Sequence, residues 1–300
     1  MIIYYDNGNR PLFREHFTAS GVIWSRQHRN LPAQGTDMLL RHASGAPVPS
    51  SLLFRPLPEN AGDAVIVFDY MTTSRYLNWL RKTYPDKRII LWMWNRVTDP
   101  SRFRDTDPEV EIWSYDPQDC RTYGYRHNTQ FFFDDLAAEA AGDSAQGDGS
   151  VLFVGRDKSR SQQIDALSEE LKASGHELKT HIVPQLPFGF DNVLRTPFIP
   201  YSENIRLVRN SGAVLDLPAY SSCGLSLRVM EALFFSKKLI TANRAVMDMD
   251  FYDPDNILVL GEDRISLDEF LSRPFRPVDR QIRNRYLLSS WIGRFSEVER

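Results

Sequence analysis

Cysteine is almost missing from this chain. Its 300 residues hold two, Cys120 and Cys223, too few for a disulfide framework and without the paired spacing of a zinc site. Histidine is scarce as well. His16, His28, His42, His127, His176 and His181 show no i, i+4 pair or other ligand spacing. No uninterrupted apolar run approaches the roughly 20 residues of a membrane span. The opening residues, Met1-Ile-Ile-Tyr-Tyr-Asp6, lack the basic stretch and apolar core of a secretory signal, so a reducing cytoplasm is the expected location. Strong net charge is absent too: 36 Lys and Arg stand against 39 Asp and Glu, a net of −3. That balance gives no general attraction to nucleic acid. A Gly-x4-Gly-Lys-Ser/Thr phosphate loop is missing, which argues against an ATPase. So is a Gly-x-Ser-x-Gly elbow, which leaves hydrolase chemistry without support.

What remains is ample material for a core. The chain is 42% hydrophobic and 12% aromatic, enough for one large core or two of ordinary size. The clearest break in composition is AAEAAGDSAQGDGS at residues 137–150, small, polar and free of aromatics, as an interdomain linker is. Both flanking halves alternate strand-like and helix-like segments. In the first, the apolar run Ala64–Phe68 ends at Asp69, and Thr72 or Thr73 is placed to cap a helix carrying Tyr76, Leu77, Leu80 and Tyr84 on one face. Residues 88–94 and 111–115 are the next strands, and residues 2–5 a first one. The second half restarts with strand 151–154, helix Ser161–Ala173, strand Leu178–Val183, a short helix at 204–209 and strand 213–217. Helix 225–235, strands Lys238–Thr241 and 257–260, and a last helix over 280–295 complete it. Strand-helix-strand order at this spacing means parallel sheets. The expected class is α/β: two Rossmann-like domains facing across a cleft, at residues 1–136 and 151–278, with 137–150 as linker and 279–300 as a C-terminal helix. Ligands of such folds sit outside the carboxyl ends of the strands.

Residues 224–241, GLSLRVMEALFFSKKLIT, carry the sharpest chemical signal. Gly224 lets the backbone approach a ligand closely. The start of the helix presents free N–H groups suited to phosphate. Glu231 is an acceptor fit for two sugar hydroxyls, and Arg228, three residues before it, shares its helix face. The plain alternative is an Arg228–Glu231 surface ion pair on an ordinary amphipathic helix, which contributes little. A second candidate is the loop Val154-Gly-Arg-Asp-Lys-Ser-Arg160, with cations Arg156, Lys158 and Arg160 at alternate positions where a strand turns into a helix. Tyr201 and Asn204 stand before a short helix, able to stack on and bond a base, or to serve simply as turn and cap.

The order Gly-Leu-Ser, then Glu-Ala, then Lys-x-x-Ile-Thr is similar to the donor-site signature of GT-B glycosyltransferases. Residues 151–256 resemble the C-terminal domain of the enzymes that build bacterial capsule, lipopolysaccharide and O-antigen. The resemblance implies that Glu231 binds the ribose of a nucleotide, that Gly224, Leu225 and Ser226 approach its diphosphate, and that the 156–160 loop neutralises the leaving group without a metal. It implies no resident cofactor, a UDP- or GDP-linked sugar as co-substrate, and a glycan or lipid-linked acceptor. The last helix is expected to return to the first domain. The chain departs from the commonest pattern at Ser221-Ser222-Cys223, where an acidic residue is frequent, and at Ser236, where glycine is favoured. The stereochemical course is left open.

An inverting enzyme needs a base, and the first half supplies candidates at strand ends: Asp6, Asp69 and Asp116. Each alone is more often a cap or turn former. Trp92, Met93, Trp94, Asn95 and Trp113 are aromatic enough to line a sugar site and equally good as core. Asp105/Asp107, Asp248/Asp250 and Asp253/Asp255 have Asp-x-Asp spacing, but so short a motif arises readily by chance, and no metal site is expected. Arg273, Arg276, Arg280, Arg283, Arg285, Arg294 and Arg300 crowd the final thirty residues. They form either a solvated face or a peripheral contact with anionic lipid on the inner face of the membrane. Two other classes stay open: a nucleotide-sugar epimerase of the same fold, and a nucleotide-sugar-binding protein without catalysis.

Overall fold

The computed structural model describes the backbone of residues 2–5 and, in full, residues 13–25, 27, 49–70, 72–140, 147–183, 199–218 and 224–296. Asp6, His28, His42, Cys223 and Arg300 lie outside these. The chain forms two compact units, residues 1–128 and 129–300.

The first unit is built on a parallel sheet ordered β2-β1-β3-β4-β5-β6. Its strands are β1 (Ile2–Tyr5), β2 (Ile23–Ser25), β3 (Ala64–Phe68), β4 (Arg88–Met93), β5 (Glu111–Ser114) and β6 (Arg126–His127). Successive residues of a strand face opposite sides. Val65 and Val67 of β3 join Ile89, Leu91 and Met93 of β4 in one cluster with Tyr76, Leu77 and Leu80. The alternate residues, Ile66, Phe68, Ile90 and Trp92, are just as buried. Burial on both faces is why these strands read as continuous apolar runs. Helix Ser74–Thr83 is capped by Thr73, whose side chain accepts from the Tyr76 N–H. β2 and β6 escaped sequence reading: at three and two residues they are too short to show a period.

The second unit has the sheet β11-β10-β9-β7-β8, with β7 (Val151–Arg156), β8 (Leu178–Val183), β9 (Ala213–Asp216), β10 (Lys238–Thr241) and β11 (Ile257–Val259). All pairings are parallel. Helices Ser161–Ala173, Tyr201–Asn210 and Leu227–Phe234 connect them. The α/β class and the two parallel sheets are as expected. In each sheet the chain steps outward once and then crosses back over its first strand. The switch points therefore fall between β1 and β3, and between β7 and β9, and ligands collect outside the strand ends at such points.

Two features differ from the sequence reading. Residues 129–136, placed by composition with the first half, belong to the second unit, and helix Asp134–Ala140 extends into the stretch expected to be linker. The single helix expected over 280–295 is two, Arg280–Asn284 and Leu288–Arg294. Leu287 forms a parallel bridge with Phe132. The Phe132 N–H donates to the Tyr286 carbonyl and the Leu288 N–H to the Phe132 carbonyl, both at 2.7 Å. Backbone groups given to a neighbouring segment leave the helical ladder, and the helix breaks there. Phe131, Phe132 and Phe133 are fully buried. Phe131 packs on Trp291 at 4.6 Å, Phe132 stacks on Phe234 at 4.7 Å, and Phe133 meets Tyr201 at 6.0 Å between centroids.

Candidate functional site

The residues singled out in the second half converge at the switch point of its sheet. β7 delivers the 156–160 loop, and β9 ends beside it at Asp216. Lys158 and Ser159 both hold left-handed backbone, φ +44° and +62°, an uncommon state for residues with a Cβ. Asp157 steadies the turn, accepting from the Ser161 N–H at 3.0 Å and the Ser161 hydroxyl at 2.6 Å. Arg156 and Lys158 are exposed, whereas Arg160 is buried. The Arg160 guanidinium donates to the carbonyls of Leu217, Arg156 and Asp157.

Arg228 comes to the same place from helix Leu227–Phe234. Its Nε donates to the Val154 carbonyl at 3.0 Å and its Nη1 to Asp216 Oδ1 at 3.0 Å. Arg160 and Arg228 both lie over the Phe153 ring, at 5.1 and 5.3 Å from its centroid. A Cβ on Gly155 would come within 2.9 Å of Arg228 Nη2 and 3.4 Å of Arg160 Nη2, so glycine is what lets the two cations crowd together. The crowding has an electrostatic signature. Burial, then repulsion from Arg228, lowers Arg160 to about 10. Lys158 is lowered by partial desolvation and by Arg160, Arg228 and Arg156. An anion placed here relieves both.

Glu231 lies one turn further along the helix and is 3% exposed. It is not in a surface ion pair with Arg228, whose carboxylate partner is Asp216. Asn204 Nδ2 donates to Glu231 Oε1 at 2.8 Å, and the buried Tyr201 acts on the Glu231 carboxyl electrostatically from the same helix. Both come from the buried face of helix Tyr201–Asn210, where Tyr201, Asn204, Ile205 and Val208 follow helical spacing. Burial raises the Glu231 carboxyl to about 7, against the opposing pull of Arg228, Tyr201 and Asn204. A carboxylate has about four acceptor positions, so the Asn204 donor leaves capacity for a ligand's hydroxyls. Of the glycine segment, Gly224 and Leu225 are buried, their carbonyls taken by Asn243 Nδ2 at 2.8 Å and Gln130 Nε2 at 3.4 Å. The Ser226 hydroxyl turns to Asp216 at 2.7 Å.

Asp216 is the residue that sequence reasoning missed. Extending the strand to Leu217 hid it inside an apolar run, whereas β9 stops at Asp216 itself. The available signal was an Asp at a strand end, the same one that marked Asp69 and Asp116.

In the first unit, Asp69 follows β3 at the switch point. It is 2% exposed and accepts from the Trp94 N–H at 3.2 Å and from Asn95 Nδ2 at 3.2 and 3.3 Å. Burial raises its carboxyl, against Asn95, Trp94 and Arg102. Asp116 follows β5, away from the switch point. It caps helix Pro117–Tyr123 through the Gln118 and Asp119 N–H groups and lies 3.6 Å from Arg96 Nε. Trp92 and Trp113 are core, and Trp94 packs on Phe68 and Phe13.

Two of the paired aspartates answer three of the terminal arginines. Asp255 meets Arg273 at 3.1 Å and Arg276 at 2.5 Å, and Asp250 meets Arg285 at 2.7 Å. Among the described residues no three His, Cys, Asp or Glu side chains are placed to hold a metal ion. No described helix is long and apolar enough to cross a membrane.

No family model matches the chain, and no curated protein sequence matches it. Glycosyltransferases of the GT-B fold recur among the solved structures similar to it. One is the lipopolysaccharide outer core galactosyltransferase WaaB in its apo form, at 12% identity and a TM-score of 0.47, covering 99% of this chain and 98% of that one. Another is an alpha-glucosyltransferase in complex with UDP and a 13-mer DNA, at 12% identity and a TM-score of 0.47, covering 98% and 94%. A third is a Listeria monocytogenes protein described as a UDP-N-acetylglucosamine 2-epimerase, at 11% identity and a TM-score of 0.41, covering 100% and 97%.

Proposed function

We propose that this protein is a glycosyltransferase that takes a sugar from a nucleotide-sugar donor held by its second unit. One observation carries the reading. Arg156, Lys158, Arg160 and Arg228 gather at the β7–β9 switch point beside the start of helix Leu227–Phe234, with the buried Glu231–Asn204–Tyr201 group one turn on. In this reading the cations and the helix start bind the diphosphate and take up the charge that develops on the leaving nucleotide. Glu231 accepts hydrogen bonds from the ribose hydroxyls. The chemistry needs no metal, since fixed cations do that work. UDP is the first nucleotide to test and GDP the second. The acceptor is a glycan or lipid-linked saccharide of the kind used in bacterial surface polysaccharide synthesis. Asp69, at the switch point of the other sheet, is the preferred base.

The experiment is incubation with UDP- and GDP-sugars, with and without a panel of saccharide acceptors, following nucleotide release and sugar identity. Nucleotide release that depends on acceptor is expected. Conversion of the sugar with no acceptor present moves the protein to the epimerases, and binding without any turnover leaves a non-catalytic binder. Replacing Arg156 and Lys158 with Ala is expected to weaken UDP binding about tenfold or more, at roughly 1.5–3 kcal/mol per charged hydrogen bond. Both are exposed, so the melting temperature stays near wild type.

A further inference from the structure

Asp216 is fully buried, and each of its oxygens is engaged. Oδ1 accepts from the Ser226 hydroxyl at 2.7 Å and from Arg228 Nη1 at 3.0 Å, and Oδ2 accepts from the Thr241 hydroxyl at 3.1 Å. Ser226 stands at the N-cap of helix Leu227–Phe234 with the extended backbone of a cap, φ −83° and ψ 165°, yet its side chain makes no capping bond. Serine in that position ordinarily turns its hydroxyl back onto an N–H of the first turn. Here Asp216 holds the hydroxyl instead, and the first-turn donors keep their capacity for an outside acceptor. The preceding backbone is turned the same way. Asn243 and Gln130 hold the carbonyls of Gly224 and Leu225. A trans peptide sends its N–H opposite to its carbonyl, so the N–H groups of Leu225 and Ser226 are aimed away from those two side chains. Meanwhile Arg228 is fixed at two nitrogens, by Asp216 and by the Val154 carbonyl, with its tip over Gly155.

We infer that Asp216 is the positioning residue of the donor site. One carboxylate withdraws the natural cap from the helix and braces the arginine beside it, so that an uncapped helix start and a fixed guanidinium meet the diphosphate of a nucleotide sugar together. Asp216 itself does not touch the ligand. This rests on the donor-site reading above and adds what prepares that site for a diphosphate. A purely structural Asp216, tying β9 to β10 through Thr241, would serve every ligand equally.

The test titrates the full chain with UDP by calorimetry and with uridine by ligand-observed NMR. Asp216→Asn keeps the size of the side chain but removes the charge that braces Arg228. It is expected to raise the UDP dissociation constant by about tenfold or more and to leave that for uridine within about twofold. Gly155→Ala presses on Arg228 from the other side without touching Asp216 and is expected to show the same selective loss. The double variant is expected to lose no more than the stronger single one, since both act through one guanidinium. Equal losses for UDP and uridine, or no loss for UDP, overturn the assignment. If Asp216→Asn does not fold, Gly155→Ala carries the same comparison, and loss of uridine along with UDP there overturns it too. A wild-type chain that binds neither UDP nor GDP overturns the donor-site reading itself, a result distinct from any outcome with the variants.

Discussion

A carboxyl group buried as Glu231 is works against its own ionisation. The group sits near 7 in the fold against an ordinary value of about 4.3 in an unfolded chain. Between those values the folded state holds the proton and the unfolded state has released it. Stability therefore falls as pH rises through that window. The contribution is fully present below the unfolded value and lost above about 7. Glu231→Gln removes the titration. Its melting temperature is expected to exceed that of wild type at pH 8, by the equivalent of a few kcal/mol at about 1.4 kcal/mol per pKa unit, and to coincide with it near pH 4. Scanning calorimetry across that range checks this, and a constant offset would show that Glu231 does not titrate there. The same variant is expected to bind UDP less well, because an amide is a poorer acceptor for ribose hydroxyls than a carboxylate. Residue-scale chemistry was legible where a local pattern carries it. Glu231, Arg228, Arg156, Lys158 and Arg160 stand in contiguous stretches beside a strand end. The partner of Arg228 was not legible. Spacing along a helix favours Glu231 at i+3, whereas the bond goes to Asp216, twelve residues earlier in the sequence and on another element.

At the scale of the element, helix Leu227–Phe234 ends in a way its sequence hints at. Ser236 takes left-handed backbone, φ +54°. The Lys237 N–H reaches back to the Ala232 carbonyl at 2.9 Å. This is the six-to-one bond of a Schellman motif, in which glycine is the usual left-handed residue. Glycine would suit the backbone at Ser236 for the same reason. Left-handed geometry costs a residue with a Cβ about 1–2 kcal/mol, and glycine's greater freedom in the unfolded chain offsets part of that. Ser236→Gly is expected to stabilise the protein by about 0.5–1 kcal/mol without altering UDP affinity. Chemical denaturation checks the first half and titration the second. Element existence was legible where an apolar pattern marks it, as in Ser161–Ala173 and Leu178–Val183, and most clearly where a cap joins the pattern, as in the Thr73-capped helix. The break at Leu287 was not legible, because its cause is a bridge to Phe132, and periodicity within 280–295 carries no trace of so distant a neighbour.

For the molecule as a whole, the break in composition and the division into compact units fall at different places. Residues 137–150 look like the boundary, yet Phe131, Phe132 and Phe133 already belong to the second unit and are fully buried. Each buried phenylalanine is worth roughly 1.5–3 kcal/mol, so three approach the roughly 5–15 kcal/mol net stability of a domain. A fragment of residues 129–300 is expected to fold and bind UDP, and one of residues 147–300 to be unstable or aggregate. Circular dichroism melts and UDP titration of the two fragments check this. Equal stability would show that the phenylalanine strip is dispensable.

That strip also sets an order in time. Phe132 and Leu287 are the two edges of one closed loop of chain, bridged backbone to backbone. A ribosome adding about 5–20 residues per second makes Phe132 many seconds before Leu287 and Trp291. Until those arrive, the apolar faces of Phe131 and Phe132 lack their last partners. The first unit can mature while synthesis continues, but the half that holds the candidate donor site completes its core only as the final helix emerges. A nascent protein stalled before Leu287 thus presents this half with an unfinished core.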